Sequence, residues 1–215
     1  MRILTGLLAL AFVATTVAAQ GKDDPDKAVK GGAAMPAGWT LRLDSDKASR
    51  DNLKFETMGA GMHVTAGPAA IYWNPKHEAK GPFTATATFT MMKLSAHPEA
   101  YGLVWAGVKL DGADQAYLYY VVRQDGKYLV KHRLGTETHG ITPWSDSPAI
   151  NKPDASGKQV NKLTVMVGKD SVRLFANDKP VAAYDVKVMA PTDGIVGIRV
   201  NHNLDVHIEG PTIKK

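Results

Sequence analysis

Residues 160–184 read VNKLTVMVGKDSVRLFANDKPVAAY, and the alternation in them decides the fold. Leu163, Val165 and Val167, then Val172 and Leu174, then Val181 and Ala183 fall at every second position. Two polar breaks, Gly168-Lys169-Asp170 and Asn177-Asp178-Lys179, cut the stretch into three short strands. Successive side chains of a strand point to opposite faces, so this period marks a sheet with one dry face and one wet face. Glycine, asparagine and aspartate accept the left-handed backbone that tight hairpin turns require. Three antiparallel strands are therefore predicted here.

Outward from this stretch the pattern repeats. Strands are predicted near residues 40–43, 53–57, 61–65, 69–73, 83–94 and 101–110. A hairpin follows, 116–123 and 127–134, turned at Asp125-Gly126, and strands at 195–201 and 205–213 close the chain. No segment of a dozen residues holds a 3.6-residue period. Many short strands separated by frequent turns predict an all-β protein, an antiparallel two-sheet β-sandwich, with one domain over residues 38–215.

The N-terminus reads as a secretory leader, residues 1–19. Met1-Arg2 supplies positive charge, an apolar run covers 3–13, and Val17-Ala18-Ala19 offers small residues for cleavage. The run is too short for the ~20 residues that span a bilayer, so no membrane insertion is expected after cleavage. Residues 20–37 carry Lys, Asp, Gly, Ala and Pro and predict a flexible linker. The mature protein is expected to be exported, to a periplasm or the cell exterior. The chain has no cysteine, so a hydrophobic core must replace disulfides and thiol chemistry is excluded. Loss of Arg2 with the leader takes the net charge from +5 to +4, spread without runs, and nucleic acid is not an expected partner.

Residues 161–181 run Asn161, an apolar strand, the Gly168 turn, Val172-x-Leu174, then Asn177-Asp178-Lys179-Pro180-Val181. This resembles the N-x-L-x-V…G-x-x-V-x-L-x-x-N-G-x-x-V passage of concanavalin A-like lectin/glucanase sandwiches, laminin-G-type domains included. Residues 101–105, 117–128 and 194–200 follow in an order similar to the bacterial 3-keto-disaccharide hydrolase family. The resemblance covers residues 38–213. It implies a concanavalin A-like jelly roll and a carbohydrate or glycoside ligand, bound or cleaved. The Glu-x-Asp-x-x-Glu strand of the laminarinase-like members is absent. Because such a fold hosts many functions, activity must be argued from a site.

Three groups of residues offer chemistry. On the last strand Leu204, Val206 and Ile208 point to the core, leaving Asp205, His207 and Glu209 on the other face. Glycoside cleavage uses carboxyls ~5–9.5 Å apart, whereas Asp205 and Glu209 are ~13 Å apart along a strand and need a partner from elsewhere. His139 and His202 complete the pool of candidate catalytic groups. In the hairpin, pairing about Asp125-Gly126 sets Tyr120 opposite Lys131 and Leu118 opposite Arg133. Tyr120, Lys131 and Arg133 are thus expected outward as a ligand-binding set, with Trp73 and Trp144, the latter in a Pro/Ser loop, at its rim. No metal site or cofactor motif is found, and oligomeric state is not legible. The readings in competition are a carbohydrate-binding sandwich, a glycoside hydrolase and a protein-interaction or adhesion module.

Overall fold

The computed structural model describes residues 26–31, 35–189 and 191–215. The expected leader lies outside these residues, as do linker residues 20–25 and 32–34. The described residues form fourteen strands and a single 3-10 turn. They are β1 (Thr40–Leu43), β2 (Leu53–Met58), β3 (Gly61–Ala66), β4 (Ala70–Ala79) and β5 (Phe83–Met91). Next come β6 (Ala100–Val108), β7 (Ala116–Arg123), β8 (Lys127–Leu134), β9 (Glu137–Asp146) and β10 (Gln159–Val167). β11 (Ser171–Ala176), β12 (Lys179–Asp185), β13 (Gly194–Val200) and β14 (Asp205–Lys214) complete the chain.

The strands make two seven-stranded antiparallel sheets. The front sheet runs β1-β4-β13-β6-β7-β8-β9 and the back sheet β12-β11-β10-β5-β14-β3-β2. Partners distant in sequence, such as β4 with β13 and β5 with β14, give the crossing connections of a jelly roll. The predicted two-sheet sandwich is what the chain forms.

Alternation explains the core. Val165, Leu174 and Leu163 of the back sheet face Leu103, Trp105, Leu118 and Tyr120 of the front sheet, all fully buried. Leu204, Val206 and Ile208 are sealed between the sheets, and Asp205, His207 and Glu209 turn outward. Each such aliphatic contributes about 1.5–3 kcal/mol by leaving water. A polar cluster closes one end. Asn161 is wholly buried, accepts from Asn151 N at 2.9 Å and from Asn177 Nδ2 at 2.8 Å, and donates to the Tyr101 hydroxyl at 3.1 Å. Tyr101 donates in turn to Gln159 Oε1 at 2.9 Å. Burying an amide is tolerated because its hydrogen bonds are made.

Two expectations are corrected. The β7–β8 hairpin pairs Tyr120 with Val130 and Tyr119 with Lys131, one residue away from the expected register. The cause is the turn. Gly126 N donates to Arg123 O at 3.1 Å and Gly126 has φ +84°, so four residues and a left-handed glycine make the corner instead of a two-residue Asp-Gly loop. One residue of slip exchanges the faces of a whole strand. Tyr120 therefore points inward and is fully buried, its hydroxyl 3.5 Å from Phe175 O of the opposite sheet. Trp144 sits in β9, the exposed border strand of the front sheet, and not in a loop. Pro143 is accommodated there because a border strand need not pair on both sides.

The described part of the expected linker is tied to the body. Lys27 N donates to Asn203 Oδ1 at 2.7 Å, Gly31 N to Asp51 O at 3.0 Å, and Asp26 lies 3.3 Å from His202 Nδ1.

Candidate functional site

The outer face of the front sheet carries a second apolar cluster, separate from the core, built on Ile71, Trp73, Val104, Tyr117, Tyr119, Val121 and Leu129. Buried apolar residues on both faces of a sheet mean that something covers the outer one. Here the cover is polar. Arg199 of β13 stands directly opposite Gly102 of β6, whose missing side chain leaves the lane across that strand open. A Cβ at Gly102 would lie 2.1 Å from the Tyr120 carbonyl oxygen. The Arg199 guanidinium lies 5.0 Å from the centre of the Tyr119 ring on the next strand.

Arg199 is fixed by several partners. Its Nη1 donates to Asp44 Oδ1 at 3.0 Å, its Nη2 to Asp44 Oδ2, and its Nε to Asn201 Oδ1 at 3.1 Å. This is the bidentate fork for which a planar guanidinium suits a carboxylate. Arg199 is 8% exposed, whereas the Asp44 side chain, just past the end of β1, is 30% exposed. Burial disfavours ionised Asp44, but Arg199, with Arg133 and Arg42 nearby, outweighs it and holds the carboxyl below its ordinary value. Burial also acts against charge on Arg199, and Asp44 more than reverses it, so the guanidinium stays charged. Beneath them burial pushes the Tyr117 hydroxyl up to about 12 and raises that of Tyr119.

The hairpin register brings further cations to this face. Lys131 lies beside Tyr119 and Arg133 beside Tyr117. Arg133 Nε donates to Gly135 O at 2.7 Å, and Arg42 Nη1 to Gly112 O. The loop after β6 thus forms a wall at one end, with Leu110 tucked against the apolar floor. Beside this wall a cleft of about 390 Å³ opens between Arg42, Arg50, Asp46 and Asp111. At the opposite end Arg123 lies 4.3 Å over the Trp144 ring and pairs with Asp125 at 2.7 Å.

Of the binding residues read from the sequence, Lys131, Arg133, Trp73 and Trp144 lie on this outer face; Tyr120 does not, and its neighbours Tyr117 and Tyr119 take the place expected for it. The candidate catalytic pool is not brought together. Asp205, His207 and Glu209 are on the outer face of the back sheet, where Asp205 accepts from His63 Nε2 at 2.7 Å and lies 3.4 Å from Lys93 Nζ. His139 is on border strand β9, 3.6 Å from Glu137, and His202 is held by Glu99 at 2.7 Å. Among the described residues no three His, Asp or Glu side chains gather as a metal ion would need.

Asp44 and Arg199 escaped the sequence reading because 155 positions separate them. A signal was present. In Gly197-Ile198-Arg199-Val200 an arginine takes the non-core phase of an otherwise apolar strand, two residues from a glycine.

No known family model matches the chain, and no curated protein sequence does. Solved structures do resemble it. A carbohydrate-binding module, CBM66, from Bacillus subtilis superposes with a TM-score of 0.62 at 13% identity, covering 83% of this chain and 96% of its own. A family 16 glycoside hydrolase from Bacteroides ovatus, with bound glucan product, gives 0.57 at 7% identity over 82% and 94%. The carbohydrate recognition domain of Emp46p gives 0.51 at 13% identity over 82% and 88%. With the crossing sheet order and two seven-stranded layers, these likenesses establish the architecture: the chain folds as a concanavalin A-like jelly-roll sandwich.

Proposed function

We propose that this chain is an exported carbohydrate-binding sandwich that holds a glycan or glycoside on the outer face of its front sheet. The observation that carries this reading is the Asp44–Arg199 fork fixed across the middle of that face, with Tyr117, Tyr119, Lys131 and Arg133 around it. Sugar hydroxyls need donors and acceptors whose positions are already set, because ordering loose side chains on binding costs affinity. Arg199 is held by three hydrogen bonds and a ring, so little remains to be ordered. The structural neighbours whose names state carbohydrate binding support this by likeness of fold.

Cleavage is the weaker reading. A hydrolase needs a carboxyl that can hold a proton near neutrality beside a second carboxylate. Asp44, the carboxylate over the central strands, is held ionised by three arginines. The candidate catalytic groups read from the sequence, Asp205, His207, Glu209, His139 and His202, lie elsewhere on the molecule.

A glycan array followed by calorimetry tests the proposal. Lys131→Ala and Arg133→Ala should each weaken binding by roughly tenfold, typical of a well-placed interface contact. Glu209→Ala on the back sheet should leave affinity unchanged. If the back-sheet change abolished binding and the front-sheet changes did not, the site would be misplaced. Turnover of oxidised or unoxidised disaccharides would instead favour the hydrolase.

A further inference from the structure

We infer that the saccharide held on the front sheet is anionic, carrying a carboxylate or sulfate group that docks among Arg42, Lys131 and Arg133. This inference rests on the carbohydrate-binding reading and adds the class of sugar to it.

The aromatic surface of the face is the first reason. A neutral pyranose is gripped largely by laying its C–H face on an open ring. Here the rings are already occupied: Arg199 lies over Tyr119 at 5.0 Å and Arg123 over Trp144 at 4.3 Å. Tyr119 is only 6% exposed and Tyr117 2%. The face therefore offers N–H donors and positive charge where a neutral-sugar site offers bare rings.

The charge count is the second. Six cations, Arg42, Arg50, Arg123, Lys131, Arg133 and Arg199, stand on or at the ends of this face against four carboxylates, Asp44, Asp46, Asp111 and Asp125. Asp44 answers Arg199, and Asp125 answers Arg123. Among the described residues no ion pair is formed by Arg42, Lys131 or Arg133; the two arginines bond instead to backbone carbonyls of Gly112 and Gly135. Those bonds aim the guanidiniums without neutralising them. Arg42 enters from β1 and Arg133 from β8, on opposite flanks, but the carbonyls they grip are drawn together: Gly112 lies in the β6–β7 loop, and Gly135 N donates to Gln115 O of that same loop at 2.7 Å. Both guanidiniums are thus gathered at the loop end of the face.

The third reason is local dielectric. The fork covers an apolar floor of Ile71, Val104 and Val121, so charges next to it are screened less than on an open surface. An arriving anion gains more there than it would from cations scattered over a solvated face. A guanidinium matches the two oxygens of a carboxylate or sulfate in one plane, which gives direction as well as attraction.

Calorimetry with four tetrasaccharides tests the inference: oligogalacturonate, its methyl ester, a sulfated galactan fragment that has no carboxylate, and a neutral glucan. Oligogalacturonate or the sulfated fragment should bind, and which of the two does so names the anionic group. The methyl ester and the glucan should bind at least about tenfold more weakly, and raising salt from about 0.05 M to about 0.5 M should cost a similar factor. Lys131→Met and Arg133→Gln should each lose about tenfold, while Arg133→Lys, which keeps the charge but not the planar fork, should lose less than Arg133→Gln and more than nothing. Thermal unfolding of each variant confirms that it is folded. If the neutral glucan or the ester bound as tightly as the acid, and Arg133→Gln changed nothing, the anionic class would be wrong although the sugar-binding face would stand. Failure of every saccharide, charged and neutral, would overturn both.

Discussion

Asp44 joins the edge of the front sheet to its centre, because its partner Arg199 stands two strands further in. Breaking a buried ion pair by removing one partner is far more costly than never having made it, because the surviving charge stays desolvated. Asp44→Asn leaves Arg199 in that position. With the Asp44 side chain 30% exposed, the loss should be about 2–3 kcal/mol, below the full buried-pair figure. The midpoint of urea unfolding reads it directly. The acid limb supplies a second readout. The Asp44 carboxyl is held below its ordinary value of 3.8, so its contribution is complete above that pH and is lost as pH falls through the lower folded value. The variant should therefore lose less stability than the parent on acidification below about pH 4, retaining only the limb due to Asp205 and similar groups. An unchanged acid limb in Asp44→Asn would show that the fork carries no such linkage.

Among the elements, β10 and β11 were legible because both bury one face and expose the other, so every second residue reports the sheet. β9 was not, since all ten of its residues are exposed or half-exposed and it contains Gly140 and Pro143. A border strand is specified by its neighbour and not by its own pattern. The β7–β8 register failed for another reason: Tyr117, Tyr119 and Val121 are buried on the outer face as firmly as Leu118, Tyr120 and Val122 on the inner. With both faces apolar, periodicity cannot choose between them, and the turn decides. The cause of that misreading is also the best sign of the site, because a border-proximal sheet buried on both sides must have something lying over it. Asn161 ties β10 to the segment before it and to the β11–β12 turn. Asn161→Ala should cost about 2–4 kcal/mol, since Tyr101, Asn151 and Asn177 each lose a partner. If chemical denaturation showed less than about 0.5 kcal/mol, the cluster would be rebuilt by water instead.

Across the whole molecule, tyrosine burial sets the alkaline limit of the fold. Burial raises the hydroxyls of Tyr72, Tyr101, Tyr119, Tyr120 and Tyr184 above the ordinary value, and that of Tyr117 to about 12. A raised folded value means that the stabilisation is complete below the unfolded value, near 10, and drains away as pH rises beyond it. Base unfolding should therefore begin near pH 10 and be complete by about 12, with tyrosinate absorbance and loss of circular dichroism rising together. Gradual tyrosinate formation in a chain that keeps its dichroism would contradict this. The four borders of the two sheets have a consequence of another kind. β1 is only four residues long, β9 carries Pro143, β12 carries Pro180 in its second position, and β2 presents Lys54 and Glu56. Short, proline-bearing or charged margins give a stray strand no template to extend, so crowded molecules at high concentration are guarded against growing into cross-linked ribbons and fibrils.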